Sequence, residues 1–293
     1  MPYEIKVPQR SELWHEARKK SIGSSEVAAI LGSSPWTSQL VLWEIKTGRR
    51  PSQFMNSAMQ RGVDFEDTAR AQLESLAGLT FTPKVFRDEE HSFLMASLDG
   101  ITEDGKVICE IKCPTSDGLR KYATSGKIPP YYETQIEYQM LVSGASEAYF
   151  FVWYSPEENY TLKFERNETR LNEIKEAVIH FWNEYIVKDV APPSTKADYE
   201  ELVDDDFKEV ASEYVRLYSL AKDTEEKMKE LKQKIKNRLT SSTKSGIQGF
   251  GVSALELSVK GTVNYAAIPE LQNVDLDKYR KPASKQIRIN VKG

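Results

Sequence analysis

Cysteine is scarce in this chain: Cys109 and Cys113 are its only two, too few for a disulfide framework or a thiolate zinc site, and an iron–sulfur cluster wants four. In an extended segment the pair also lies too far apart to bridge, so both read as small packing residues in a reducing compartment. No apolar run approaches ~18 residues, and no charged-then-apolar segment opens the chain. The expectation is a cytoplasmic protein, neither secreted nor membrane-spanning. Positive charge is not in excess either: the net charge is −4 and the pI about 5.7, so any attraction to nucleic acid has to come from local patches. No internal repeat is evident.

What the chain does have is length, 293 residues with 40% hydrophobic content, enough for a sizeable core in one large domain or in a domain plus an extension. Its central stretch is 93–114, F-L-M-A-S-L-D-G-I-T-E-D-G-K-V-I-C-E-I-K-C-P. Two β-prone runs flank Asp104-Gly105, a strong hairpin signal. Asp99 ends the first run, while Glu110 and Lys112 stand two apart on the second and so project from one face. Two carboxylates and an ammonium on a buried hairpin are costly unless compensated. A divalent cation would compensate them. Asp99, Glu110 and the backbone carbonyl of Ile111 are oxygen ligands of the kind Mg²⁺ accepts, and Lys112 could orient or deprotonate a water. The alternative at this point is a surface hairpin whose Glu110–Lys112 pair is worth little.

Upstream, S-E-L-W-H-E-A-R-K-K reads as a short Ser-capped helix ending in Arg18-Lys19-Lys20. In I-G-S-S-E-V-A-A-I-L-G, Ser24 or Ser25 caps an apolar helix stopped by Gly32, and its free N–H groups, hydroxyls and a preceding arginine suggest an anion pocket suited to phosphate. S-P-W-T-S-Q-L-V-L-W-E-I-K-T-G is another capped helix, whose two tryptophans, Trp36 and Trp43, read as core anchors in preference to base-stacking platforms. A long helix over about 56–76 carries a Met59, Val63, Ala69, Leu73 stripe, with Glu66 among its polar positions. A strand over 80–87 leads into the hairpin, and a short helix bearing Arg120, Lys121 and Lys127 follows it.

Pro129-Pro130 then opens a helix in which Tyr132 and Gln135 lie three apart. Strands over 148–154 and 160–164 and a helix over 168–188 close the block. The fold class is therefore α/β in the α+β sense: a mixed central sheet flanked by helices, without a regular βαβ beat. Ala191-Pro192-Pro193-Ser194 reads as a linker. Beyond it, Phe207, Val210, Tyr214, Leu217, Ala221, Thr224, Met228, Leu231 and Ile235 form a heptad seam on one long helix over about 198–240, which needs a partner face. The glycine-rich stretch 241–251 reads as a flexible hinge, and strand-like runs 252–259 and 286–291 surround a short helix near 265–271.

Taken together and in order, W-H-E-A-R, I-G-S-S-E-V-A-A-I-L-G-x-S-P-W, L-W-E-I-K-T-G, R-G-V-D-F-E, S-L-D-G, E-I-K-C-P and Y-x-x-Q-I-E-Y-Q resemble the YqaJ-type viral recombinases, related to lambda exonuclease within the PD-(D/E)xK nuclease superfamily. Each block alone is weak; their order is specific. The resemblance spans roughly 13–188 and implies a nuclease domain over 1–190, with 191–293 an extension of a long helix and a small α/β element. It implies metal ligands at Asp99 and Glu110, a catalytic lysine at Lys112, a helix carboxylate that helps position metal or water at Glu66, and a 5′-phosphate pocket at Arg18, Ser25, Ser97 and Gln135, with Tyr132 nearby.

The implied activity is Mg²⁺-dependent hydrolysis, with Mn²⁺ able to substitute and no iron–sulfur cluster. It would degrade one strand of linear double-stranded DNA from its 5′ end and leave a 3′ single strand for an annealing protein. Ring-shaped trimers occur in the family, so a homo-oligomer is a further expectation. Competing readings are a structure- or sequence-specific endonuclease on the same fold and a non-catalytic scaffold that binds DNA ends.

Overall fold

Side-chain alternation along two neighbouring strands sorts the core onto two faces of one sheet. In β6 below, Ala148, Phe150 and Val152 pack into one buried cluster, while Tyr149, Phe151 and Trp153 pack into the other. Continuous apolar runs of this kind mark a strand covered on both sides. The computed structural model describes residues 2–51, 57–262, 264, 268–271 and 274. It comprises two units, Met1–Glu200 and Glu201–Gly293.

The first unit runs β1 (Tyr3–Glu4), α1 (Glu12–Lys19), β2 (Ile22–Gly23), α2 (Val27–Ile30), α3 (Gln39–Lys46), α4 (Ser57–Ala77), β3 (Thr82–Arg87), β4 (Leu94–Ile101), β5 (Val107–Lys112), α5 (Gly118–Thr124), α6 (Pro130–Ser143), β6 (Glu147–Trp153), β7 (Asn159–Glu165) and α7 (Glu168–Phe181). A π-helical turn, Trp182–Val187, continues α7. The sheet order is β1-β3-β4-β5-β6-β7, with β2 added in parallel to β4. Only tight turns can join antiparallel neighbours so closely. Accordingly β4 and β5 meet at a turn where Gly105 takes φ 74°, whereas the parallel β5–β6 pair is bridged by α5 and α6. This is the mixed, helix-flanked sheet expected from the sequence.

On one face, Val27 and Ala29 of α2, Leu42 and Trp43 of α3, Ile136 of α6 and Ile174 and Val178 of α7 join Leu94, Ala96 and Leu98 of β4. On the other, Ala69 and Leu73 of α4 cluster with Cys109 and Ile111 of β5 and with Cys113 just after it. Both thiols are free and buried. Burial pushes Cys109 well up, and it takes Cys113 to about 11. Neither is a thiolate near neutral pH.

Several expectations are corrected. Trp43 is buried at 7% exposure, but Trp36 is 65% exposed and anchors no core. The stripe on α4 is buried only at Ala69 and Leu73, and Met59 is 44% exposed. The apolar helix after Gly23 is a 3₁₀ turn, Ser24–Glu26, followed by the four residues of α2. Neither serine caps it: the Glu26 side chain accepts the Gly23 N–H at 2.7 Å.

In the second unit, α8 (Asp205–Thr240) is capped by Asp204, whose side chain accepts the Phe207 N–H at 2.8 Å. No residue of α8 is buried, and Phe207, Val210, Tyr214, Leu217, Met228 and Leu231 are exposed along it. The stretch read as a hinge holds a strand: β8 (Gly246–Gly249) pairs with β9 (Val252–Leu255). The hairpin forms because Phe250 and Gly251 both take positive φ, 50° and 78°, as a two-residue turn requires. The expected strand over 286–291 lies outside the described residues, as does part of the expected helix near 265–271.

Candidate active site

The β4–β5 ladder closes at Gly100↔Cys109 and Ile101↔Ile108. Just beyond that point the Asp99 carboxylate accepts the Ile111 N–H at 2.8 Å, so a side chain takes up a strand donor. The packing here leaves no room for a side chain at residue 100: a Cβ on Gly100 would come within 2.5 Å of Phe81 and 2.8 Å of the Cys109 sulfur. Period-2 alternation then puts Glu110 and Lys112 on the face covered by α6, opposite Cys109, Ile111 and Cys113.

Glu110 is 2% exposed and fully engaged. Its Oε1 accepts from Gln135 Nε2 at 2.7 Å, its Oε2 from Gln139 Nε2 at 2.6 Å, and it forms an ion pair with Lys112. Lys112 is held charged: burial opposes its charge, but Glu110, Tyr132 and Asp99 together raise its pKa. Asp99 goes the other way, pushed well up by burial and then by the nearby Glu110 and Glu66 carboxylates. Glu66 on α4 is 15% exposed; it pairs with Arg70 at 3.1 Å and with Arg10. Arg70 Nε also donates to the Asp99 carbonyl oxygen at 2.8 Å, which ties α4 to the end of β4.

A second cluster forms around Arg18. Its guanidinium lies 4.8 Å over the Trp14 ring and contacts Ser25 Oγ at 3.3 Å and Glu26 at 3.4 Å. Trp14 Nε1 in turn donates to Ser97 Oγ at 2.8 Å. Glu26 also pairs with Lys46 at 2.7 Å. Burial raises its pKa, but Lys46, Arg18 and the Gly23 N–H more than offset that, and the net direction is down.

Arg18, Ser25 and Ser97 are therefore linked through Trp14, while Gln135 turns to Glu110 and Tyr132 lies under the Lys112 ammonium at 4.8 Å. Six further residues of this network were not singled out from the sequence: Arg10, Trp14, Glu26, Lys46, Arg70 and Gln139. Three of them stand four residues from one that was, as Trp14 to Arg18, Arg70 to Glu66 and Gln139 to Gln135. That helical spacing was the signal available.

Among the described residues no group of three or more His, Cys, Asp or Glu is disposed to hold a metal ion. The oxygen donors that are present near Lys112 suit a hard cation, and burial together with the neighbouring carboxylates, which raise Asp99, is a setting that a cation relieves.

Residues 13–146 match the YqaJ-like viral recombinase domain. The protein YqaJ of Bacillus subtilis strain 168 is 29% identical over 184 residues, which covers 61% of this chain and 57% of YqaJ. The chain thus matches a little over half the length of that relative. The crystal structure of an alkaline exonuclease from Laribacter hongkongensis, LHK-Exo, superposes with a TM-score of 0.55 at 26% identity over 61% of this chain and 94% of that one. The same enzyme in complex with dAMP gives 0.55 at 25% identity. Over residues 13–146 this chain is therefore similar to the YqaJ-like viral recombinase domain, and its fold is similar to that of this alkaline exonuclease.

Proposed function

We propose that this chain is a metal-dependent deoxyribonuclease that hydrolyses linear double-stranded DNA from the 5′ end and leaves a 3′ single strand for an annealing partner. The observation that carries the reading is the break in the β4–β5 ladder, where the Asp99 carboxylate sits on the Ile111 N–H beside the Glu110–Lys112 pair. LHK-Exo, similar in fold, is an alkaline exonuclease.

In this reading Asp99, Glu110 and the Ile111 carbonyl would hold Mg²⁺ or Mn²⁺, with Glu66 close by. Such an ion supplies Lewis-acid stabilisation of the phosphoryl oxygens and lowers the pKa of a bound water. Lys112 orients the attacking water, and the amides of Gln135 and Gln139 hold the Glu110 carboxylate in one orientation. Arg18 and Ser25 grip the 5′-terminal phosphate through charge-assisted hydrogen bonds, with Ser97 held beside them by Trp14. Duplex ends, an annealing protein and further copies of the chain are the partners this reading calls for.

The test is a time course on linear duplex labelled at each 5′ end in turn, with and without Mg²⁺, beside a covalently closed circle. Progressive release of the 5′ label, only with Mg²⁺ and only from linear DNA, is the expected result. Cutting of the circle would replace the exonuclease with an endonuclease. No cleavage of either would leave a DNA-end-binding scaffold.

A further inference from the structure

Three aromatic rings lead outward from Lys112. Tyr132 lies under its ammonium at 4.8 Å, Tyr131 meets Tyr132 edge-to-face at 4.5 Å, and Trp36 meets Tyr131 edge-to-face at 4.7 Å. The trio closes on itself, since Trp36 and Tyr132 are 6.5 Å apart. Two separate elements build it. Pro130 starts α6, which places both tyrosines in its first turn, and Tyr132 is anchored inward against Phe150 at 5.5 Å. Trp36 comes from the α2–α3 connection, where Ser34 Oγ accepts the N–H of Trp36 at 3.2 Å and of Thr37 at 3.1 Å.

The inner end of this row is packed and the outer end is open. Trp43 and Trp153 are buried, as tryptophans that fill a core are, while Trp36 lies largely in solvent. A single exposed apolar side chain calls for no explanation. An exposed indole held by two other rings, in a row that starts at the ammonium of the proposed catalytic lysine, is a different case. At 65% exposure it has surface left for a flat partner, and the proposed chemistry next to it acts on a nucleic-acid strand.

We propose that Trp36 and Tyr131 form a stacking platform for one unpaired nucleobase of the strand whose phosphate lies at Lys112, which makes Trp36 a substrate-positioning residue. The inference rests on the nuclease reading and deepens it. To cut one strand of a duplex the protein has to separate that strand's end from its partner, at the cost of unpairing and unstacking. Aromatic side chains offset that cost for any base, because every base presents a π-face, and they do so without reading sequence. The platform therefore fits an enzyme that consumes DNA regardless of sequence.

The experiment uses the full chain with Ca²⁺ in place of Mg²⁺ to hold back hydrolysis. Affinity is measured for 5′-phosphorylated duplexes carrying an abasic residue at the first, second or third position of the 5′ strand. Wild type, Trp36→Ala, Trp36→Phe and Tyr131→Ala are compared, with a thermal melt of each. At one of the three positions, loss of the base should weaken wild-type binding about tenfold, the scale of one stacking contact. Trp36→Ala should bind the intact duplex about tenfold more weakly and be indifferent to the missing base, and Trp36→Phe should restore most of the difference. Equal sensitivity to the abasic residue in wild type and Trp36→Ala overturns the platform, and so does a wild type indifferent at all three positions. Wild-type cleavage of linear duplex in Mg²⁺ is measured in parallel: its absence removes the nuclease reading as well, whereas its presence with no base dependence removes the platform alone.

Discussion

Gln139 Nε2 donates to Glu110 Oε2 at 2.6 Å and to the Ser97 carbonyl at 3.3 Å, from a side chain with 0% exposure. One amide thus connects the buried carboxylate to the strand that carries Ser97 and Asp99. Its own Oε1 is buried and meets no hydrogen-bond donor among the described residues.

Replacing Gln139 with Met keeps the volume and removes the donor. The expected cost is about 1–3 kcal/mol of stability, the penalty for leaving a buried acceptor short of a partner. If Glu110 is a metal ligand, the Mg²⁺ concentration for half-maximal cleavage should also rise about 10- to 100-fold, as when a ligand loses its supporting hydrogen bond. A Mg²⁺ titration of the cleavage rate checks this, and an unchanged midpoint would sink it.

Lys112→Ala should abolish cleavage, with a loss of at least about 10²-fold. It also leaves Glu110 buried with two amides and no cation, which should cost about 3–5 kcal/mol in urea unfolding. A surface pair, by contrast, would cost at most about 1 kcal/mol. The stability measurement therefore separates the buried-site reading from the surface-hairpin one even where activity is not assayed.

Arg18→Ala should remove the preference for a phosphorylated end. A charge-assisted contact of about 1.5–3 kcal/mol corresponds to roughly 10- to 150-fold, so wild type should degrade 5′-phosphorylated duplex faster than 5′-hydroxyl duplex by that order. The variant should degrade both alike. Trp14→Phe keeps a ring under Arg18 but loses the bond to Ser97 and should fall between them. Equal wild-type rates on the two ends would refute the pocket.

Stability in acid should depend on Glu26. Its folded pKa lies below its ordinary value: burial raises it, and Lys46, Arg18 and the Gly23 N–H lower it by more. A depressed carboxylate contributes stability above its unfolded pKa, and that contribution is lost as pH falls through the folded value. Lys46 is also pushed down, chiefly by burial, so the two halves of the pair act in opposite senses and the acid limb belongs to Glu26. Urea midpoints should fall as pH drops below about 4.3, and Glu26→Gln should flatten that fall. A variant with the wild-type slope would count against this account.

Much of the fold was legible because its signals are local. Asp104-Gly105 marks the hairpin, Pro130 opens α6, and the two-residue spacing of Glu110 and Lys112 puts them on one face. Where the reading failed, the deciding partner was distant in sequence. Trp36 and Trp43 stand in one apolar segment, yet only Trp43 meets α7's continuation, donating to the Tyr185 carbonyl at 3.0 Å. The glycines of 246–251 looked like slack until strand pairing gave them a register.

The sequence by itself determined the longer helices and strands of the first unit, their order and the parity of those strands, since these follow from backbone geometry and spacing. It could say that Glu110 and Lys112 share a face but not that α6 covers that face with two glutamine amides. Only the tertiary structure decided which charges are buried together, which donors hold them and which aromatic ring is left in water. Those outcomes depend on desolvation and on contacts between residues far apart along the chain, and no local pattern encodes either.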